Sequence, residues 1–97
     1  MQLIETVIQQ PKLDTLRQLL DELGVDEFME SPILCHSQHK GQPMRFRSAT
    51  FMAGIVEKVK LEIVAADDAA GAIIAAIKGI VQTDECRIAM RPYLEIA

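Results

Sequence analysis

Cys35-His36-x-x-His39 puts a thiol and two imidazoles within five residues. These donors suit borderline and soft ions such as Zn, Cu, Cd or Ni rather than Mg or Ca. In a loop, such spacing would let the three converge on one ion, with water or a residue of another subunit as the fourth ligand. Cys86, further along the chain, is a candidate for that fourth place. The plainer alternative makes Cys35 a small buried hydrophobe ending a strand and the histidines solvated loop residues. One C-H-x-x-H does not decide between them.

The same stretch carries a second signal. From Ser31 to Val56 the chain holds Lys40, Arg45 and Arg47 and no acid, although it has fourteen Asp and Glu in all. That segment is +3 while the whole is −4, so the remainder is −7. Attraction to an acidic partner surface or a phosphate-bearing ligand follows from such a patch. Phe46, Phe51 and Met52 add apolar anchors of the kind interfaces use. Exposed loops are often charged in any case, and that is the competing account.

Other chemistries find no support. No serine has a recognisable base, and the acid pairs Asp21-Glu22, Asp26-Glu27, Asp67-Asp68 and Asp84-Glu85 read as caps and turns. An enzyme is not expected. With no Trp, one Tyr and three Phe, stacking platforms for bases are scarce, and an acidic chain of pI about 5.0 is the wrong sign for nucleic acid. The apolar run from Ala69 to Val81 contains a lysine and is too short to span a membrane. No signal peptide is visible, and two cysteines make no disulfide framework. A cytoplasmic protein is the expectation.

The 97 residues are expected to form one domain, 1–97, with a thin core that association would help. Met1 to Gln9, rich in Leu, Ile and Val, suits a buried central strand that Pro11 ends. From Lys12, Leu13, Leu16, Leu20 and Leu23 form the stripe of an amphipathic helix, widened by Leu19. Gly24 is its expected C′ residue. Phe28 to Cys35 reads as an edge strand because Pro32 interrupts it. The segment from Ser37 to Gly54 reads as a long loop. Glu57 to Ala65 has a period of two, with Val59, Leu61 and Ile63 against Lys58, Lys60 and Glu62. Asp67 or Asp68 is the expected N-cap of a second helix that runs to about Val81, with Ile73, Ile77, Ile80 and Val81 as its apolar stripe and Ile74 beside it. Cys86 to Met90 forms a short last strand, and Pro92, Tyr93 and Leu94 a tail.

Strand, helix and strand repeated twice predict an α+β fold, the ferredoxin-like βαββαβ arrangement. Its four-stranded antiparallel sheet has order 4-1-3-2, and two helices lie on one face. The other face, bearing apolar residues, needs a cover, and association of subunits is the simplest one. The long loop, Cys35 and Cys86 then share one end of the sheet. Second and fourth strands are roughly 14 Å apart at about 4.8 Å per strand, so Cys86 reaches Cys35 only across a subunit contact.

Met1-Gln-Leu-Ile-Glu-Thr-Val-Ile, Pro-Lys-Leu-Asp at 11–14, Leu-Gly-Val at 23–25, Lys40-Gly41, Phe46-Arg47 and Lys58-Val-Lys-Leu-Glu-Ile-Val run in ungapped register. Asp67-Asp68 then opens the second helix. Together they resemble the PII signal-transduction proteins over nearly the whole chain up to Thr83. The resemblance implies a homotrimer of ferredoxin-like subunits with a T-loop at about 37–54. Such a loop engages a target protein, often a membrane transporter or an enzyme, in response to small effectors.

The chain departs from that family where effectors act. Phe51 stands where the family has a tyrosine for nucleotidylation. The family's glycine-rich lead into the loop is here Cys35-His36-Ser37-Gln38-His39-Lys40-Gly41, with His39 replacing the glutamine that helps hold magnesium and 2-oxoglutarate. The phosphate-holding turn is shortened to Thr83-Asp84-Glu85-Cys86, whose acids would repel a phosphate. These departures argue against ATP, ADP and 2-oxoglutarate binding of the family type. The leading expectation is therefore a soft metal effector at Cys35, His36, His39 and Cys86, with Lys40, Arg45, Phe46, Arg47 and Phe51 meeting the target. One alternative keeps an adenine nucleotide with Lys40 and Arg87 on its phosphates. Another is a metal-buffering trimer similar to the divalent-cation-tolerance proteins.

Overall fold

The computed structural model describes residues 1–36, 54–81 and 87–97. Four strands and two helices alternate along the chain: β1 (Gln2–Ile8), α1 (Leu13–Glu22), β2 (Phe28–His36), β3 (Ile55–Ala65), α2 (Asp67–Ile80) and β4 (Arg87–Pro92). The sheet order is β2-β3-β1-β4 and every neighbouring pair is antiparallel. This is the ferredoxin-like arrangement that the pattern of elements predicts.

β1 earns its central place from an almost unbroken apolar run. Ile4, Thr6 and Ile8 are buried on one face and Leu3 and Val7 on the other, as befits the apolar middle of a sheet. Opposite them on β3 stand Ile63, Leu61 and Val59, all buried. Both helices lie on that face: Leu13, Leu16 and Leu20 of α1 and Ala70, Ile73 and Ile77 of α2 join the β1 and β3 side chains in one core.

A 3-10 turn over Gln10–Lys12, with Pro11 in it, joins β1 to α1, and the Lys12 amide donates to the Gln9 carbonyl at 3.0 Å. α1 ends in a Schellman motif. Gly24 takes φ +82°, its amide donates to Asp21, and the Val25 amide donates to Leu20. This fixes Gly24 at C′ and turns Leu23 outward. Leu23 is 41% exposed, so the buried stripe stops at Leu20. A fork from Arg17 ties α1 to β2, with Nε and Nη2 donating to the two Glu30 oxygens at 2.7 and 2.8 Å.

α2 departs from the expected cap. Ala66 holds the N-cap position with no side-chain capping bond. Asp67 is already helical, and its carboxylate accepts from Gln2 Nε2 at 3.1 Å instead. Asp67 and Asp68 in the first turn still favour the helix through its dipole. β4 begins at Arg87 and runs to Pro92, two residues beyond the expected end, because the β1 ladder continues to Gln2 opposite Pro92. Cys86 lies outside the described residues.

β3 is the longest strand, and its length sets up the site. β1 pairs with it only from Val59 onward, whereas β2 pairs with it from Ile55. Ile33–His36 and residues 55–58 therefore form a two-stranded arm beyond the end of β1, about 13 Å long at roughly 3.3 Å per residue. Gly54, at φ +93°, leads into it.

Candidate functional site

The arm carries the first two residues of the expected metal set. Consecutive residues of a strand project to opposite faces. Cys35, opposite Val56, lies on the face away from the helices, and His36, opposite Ile55, lies on the helix side. Cys35 is a free, half-buried thiol, and His36 is exposed. Regular pairing thus separates two ligands that a loop would have let converge. His39, Lys40, Arg45, Phe46, Arg47, Phe51 and Cys86 lie outside the described residues. Among the described residues, no three His, Cys, Asp or Glu side chains gather into a ligand set.

The flanks of the arm are apolar and open. Leu34 is 57%, Val56 44% and Ile55 37% exposed. An open groove of about 230 Å³ lies at the base, lined by Gln10, Pro32, Ile33, Leu34, Glu57 and Lys58.

Arg87 begins β4 on the sheet face away from the helices. The pairing puts Arg87, Val7, Lys60 and Ser31 in one row across all four strands of that face. Lys58 is two residues from Lys60 and so on the same face, opposite Ile33. The next row holds two acids side by side, Glu5 on β1 directly opposite Glu62 on β3. Lys60 Nζ reaches Glu5 Oε2 at 3.1 Å, and Arg91 Nη1 reaches Glu5 Oε1 at 3.4 Å. The hydrogen bond from Lys60, helped by Arg91, holds the Glu5 carboxyl below the usual carboxylate range. The face is therefore cationic toward the arm, acidic in the middle and apolar at Leu3 and Val64. The expectation of an apolar open face holds at Leu3, Val7, Val64, Met29, Ile33, Val56 and Ala89.

Lys58 and Lys60 were legible in the sequence as the outward half of a period-two strand. Their significance comes from Arg87, which the fold brings alongside from the far end of the chain. Such a cluster suits a multiply charged anion, since three flexible cations within about 10 Å can converge on one ligand.

Residues 1–90 match the family model described as Nitrogen regulatory protein P-II. The chain belongs to the nitrogen regulatory protein P-II family. Among its P-II relatives, the Nitrogen regulatory protein P-II of Rhizobium meliloti is 34% identical over 83 residues, which is 86% of this chain and 74% of that protein. That of Cereibacter sphaeroides is 32% identical over 85 residues, 88% of this chain and 76% of the relative. Nitrogen regulatory protein P-II 1 of Escherichia coli is 31% identical over 83 residues. The P-II match ends inside β4, so Arg91 and the tail to Ala97 lie beyond it. Among the described residues, no helix is long and apolar enough to cross a membrane.

Proposed function

We propose that this P-II protein is a regulatory subunit without catalytic activity of its own, acting in the cytoplasm. In this reading it assembles as a homotrimer, and the connection at 37–54 binds a target protein, such as a membrane transporter, in response to a small effector. The observation that carries the reading is the arm. β2 and β3 run past β1, so the connection between them starts and ends at a point held clear of the core, with Leu34, Ile55 and Val56 exposed on its flanks. Lys40, Arg45 and Arg47 within that connection supply charge for an acidic partner. Leu3, Val7, Ile33 and Val64 on the open sheet face give a second copy something to cover. Deleting Gly41 to Ala49 should leave assembly intact and abolish capture of the target. Unchanged capture by the deletion would argue against the reading.

The effector class that the geometry supports best is a multiply charged anion, an adenine nucleotide such as ATP or ADP among them. It would sit on Lys58, Lys60 and Arg87, with Lys40 as a further phosphate contact. A soft metal ion is the second reading, favoured by the free, half-buried Cys35 thiol on the face a neighbouring subunit would cover. Because β2 separates Cys35 from His36, one ion would take Cys35 with Cys86 of another subunit and a different one would take His36 with His39. Calorimetric titration with ATP, ADP, Zn²⁺ and Cu⁺ separates these readings. Stoichiometric metal uptake with no effect on target capture would favour a buffering trimer instead.

A further inference from the structure

We propose that the helix side of the arm is a seat for the target protein, taking an apolar side chain that has a lysine or arginine beside it. This rests on the reading that the connection at 37–54 meets a target. The strand pairing divides the arm between two faces. Ile33, Cys35, Val56 and Lys58 lie on the face away from the helices, which a second copy would cover. Leu34 opposite Glu57 and His36 opposite Ile55 lie on the helix side, with Pro32 before them. All five are exposed, because the core shared with the helices reaches no further along β3 than Val59. Cover of the other face therefore leaves this side open. His36 and Ile55 are also the residues at which the connection leaves and rejoins the arm. A protein that holds 37–54 near its ends is thereby brought against this side.

The chemistry of the seat follows from its lining. The groove at its foot holds about 230 Å³ between Gln10, in the turn that leads to α1, and Pro32, Leu34 and Glu57 of the arm. Pro32, Ile33 and Leu34 make that lining largely apolar, so burying a side chain the size of leucine or methionine there is favourable. Glu57 is exposed and makes no ion pair among the described residues. Lys58 also lines the groove, but it belongs to the covered face, so Glu57 sets the charge on this side. A cation next to the apolar anchor complements Glu57, and an acid would be repelled. The connection asks for the opposite sign through Lys40, Arg45 and Arg47. The two demands together fix which way round a partner sits, with acid toward the connection and base toward the foot of the arm.

Leu34 and Val56 give the test. They lie on opposite faces, one step apart along the ladder, and are similarly exposed in the subunit, at 57% and 44%. A benzophenone amino acid is placed at Leu34, Val56 or Phe46 in living cells, and each variant, once purified, is first shown by thermal melting to be folded. Position 34 should crosslink the same partner as position 46, and position 56 should crosslink a second copy of this chain. Mass spectrometry of the position-34 adduct should find an apolar residue with Lys or Arg beside it. Glu57→Gln should lower the yield of that adduct by about 1.5- to fivefold, the range spanned by one exposed ion pair. A partner at 46 with nothing, or only a second copy, at 34 would overturn the seat and leave the target reading standing. Equal yields of the partner from 34 and 56 would overturn the sidedness on which the seat rests. An acidic segment in the adduct, or an unchanged yield in Glu57→Gln, would overturn its chemistry. No partner from 34 or 46 would overturn both the seat and the target reading.

Discussion

Leu16→Ala and Leu34→Ala make the same chemical change at two depths, and the fold assigns them different costs. Leu16 is fully buried between α1 and the sheet, whereas Leu34 is 57% exposed on the arm. Each substitution removes three carbons, worth roughly 0.8 kcal/mol apiece when fully withdrawn from water. For Leu16 that is about 2.4 kcal/mol, and the cavity left in a packed core raises the cost toward the upper part of the 2–5 kcal/mol range for such changes. For Leu34 less than half of the transfer is at stake and no closed cavity forms, so the cost is about 1 kcal/mol or less. Urea unfolding by circular dichroism, at one protein concentration because association adds to stability, should show a clear midpoint shift for Leu16→Ala and a small one for Leu34→Ala. The arm variant should nevertheless weaken target capture. Equal midpoint shifts would refute the claim that the arm stands clear of the core.

Gly24→Ala should destabilise by about 1 kcal/mol from backbone strain alone, because φ is +82° and an added Cβ would meet nothing within 4 Å. Gly71→Ala and Gly79→Ala, at exposed positions inside α2 with the same free space, should each stabilise by roughly 0.8–1 kcal/mol in thermal melts. The hydrogen bond from Arg17 holds the Glu30 carboxyl below its ordinary range. The pair's contribution is therefore complete above the unfolded glutamate pKa and is lost as pH falls through the lower folded pKa. Wild type should accordingly lose its stability advantage over Arg17→Met on acidification from about pH 6 to about pH 3, as urea midpoints at the two pH values will show. Zn²⁺ uptake should respond independently to Cys35→Ser and to the His36→Ala/His39→Ala pair, since the strand sends Cys35 and His36 to opposite faces. Complete loss in either variant alone would show a single shared ion.

Much of the architecture was legible because local signals agreed. The alternation of Val59, Leu61 and Ile63 with Lys58, Lys60 and Glu62 gave β3 its inward face, and Gly24 marked the end of α1 by the conformation only it adopts cheaply. Pro32 placed β2 at an edge, where a missing amide costs nothing. What stayed hidden depends on neighbours. The sequence pattern opens β3 at Glu57 and closes β2 at Cys35, but cross-strand bonding carries the pair outward to Ile55 and His36. That extension makes the arm, and it turns Cys35 and His36 from loop neighbours into residues on opposite faces. Asp67 looked like a cap by type, yet Gln2, 65 residues away, takes its carboxylate. The Glu5–Lys60–Arg91 cluster had no signal at all, because its members come from three strands spread along the chain.

If the connection at 37–54 meets a target protein, the rest of the subunit serves to hold it out. A photo-crosslinking residue placed at Phe46, and as a control at Gln18 on the exposed side of α1, tests this in living cells. One dominant crosslinked partner is expected from position 46 and absent from position 18. The same partners at equal yield from both positions, or none from position 46, would contradict it.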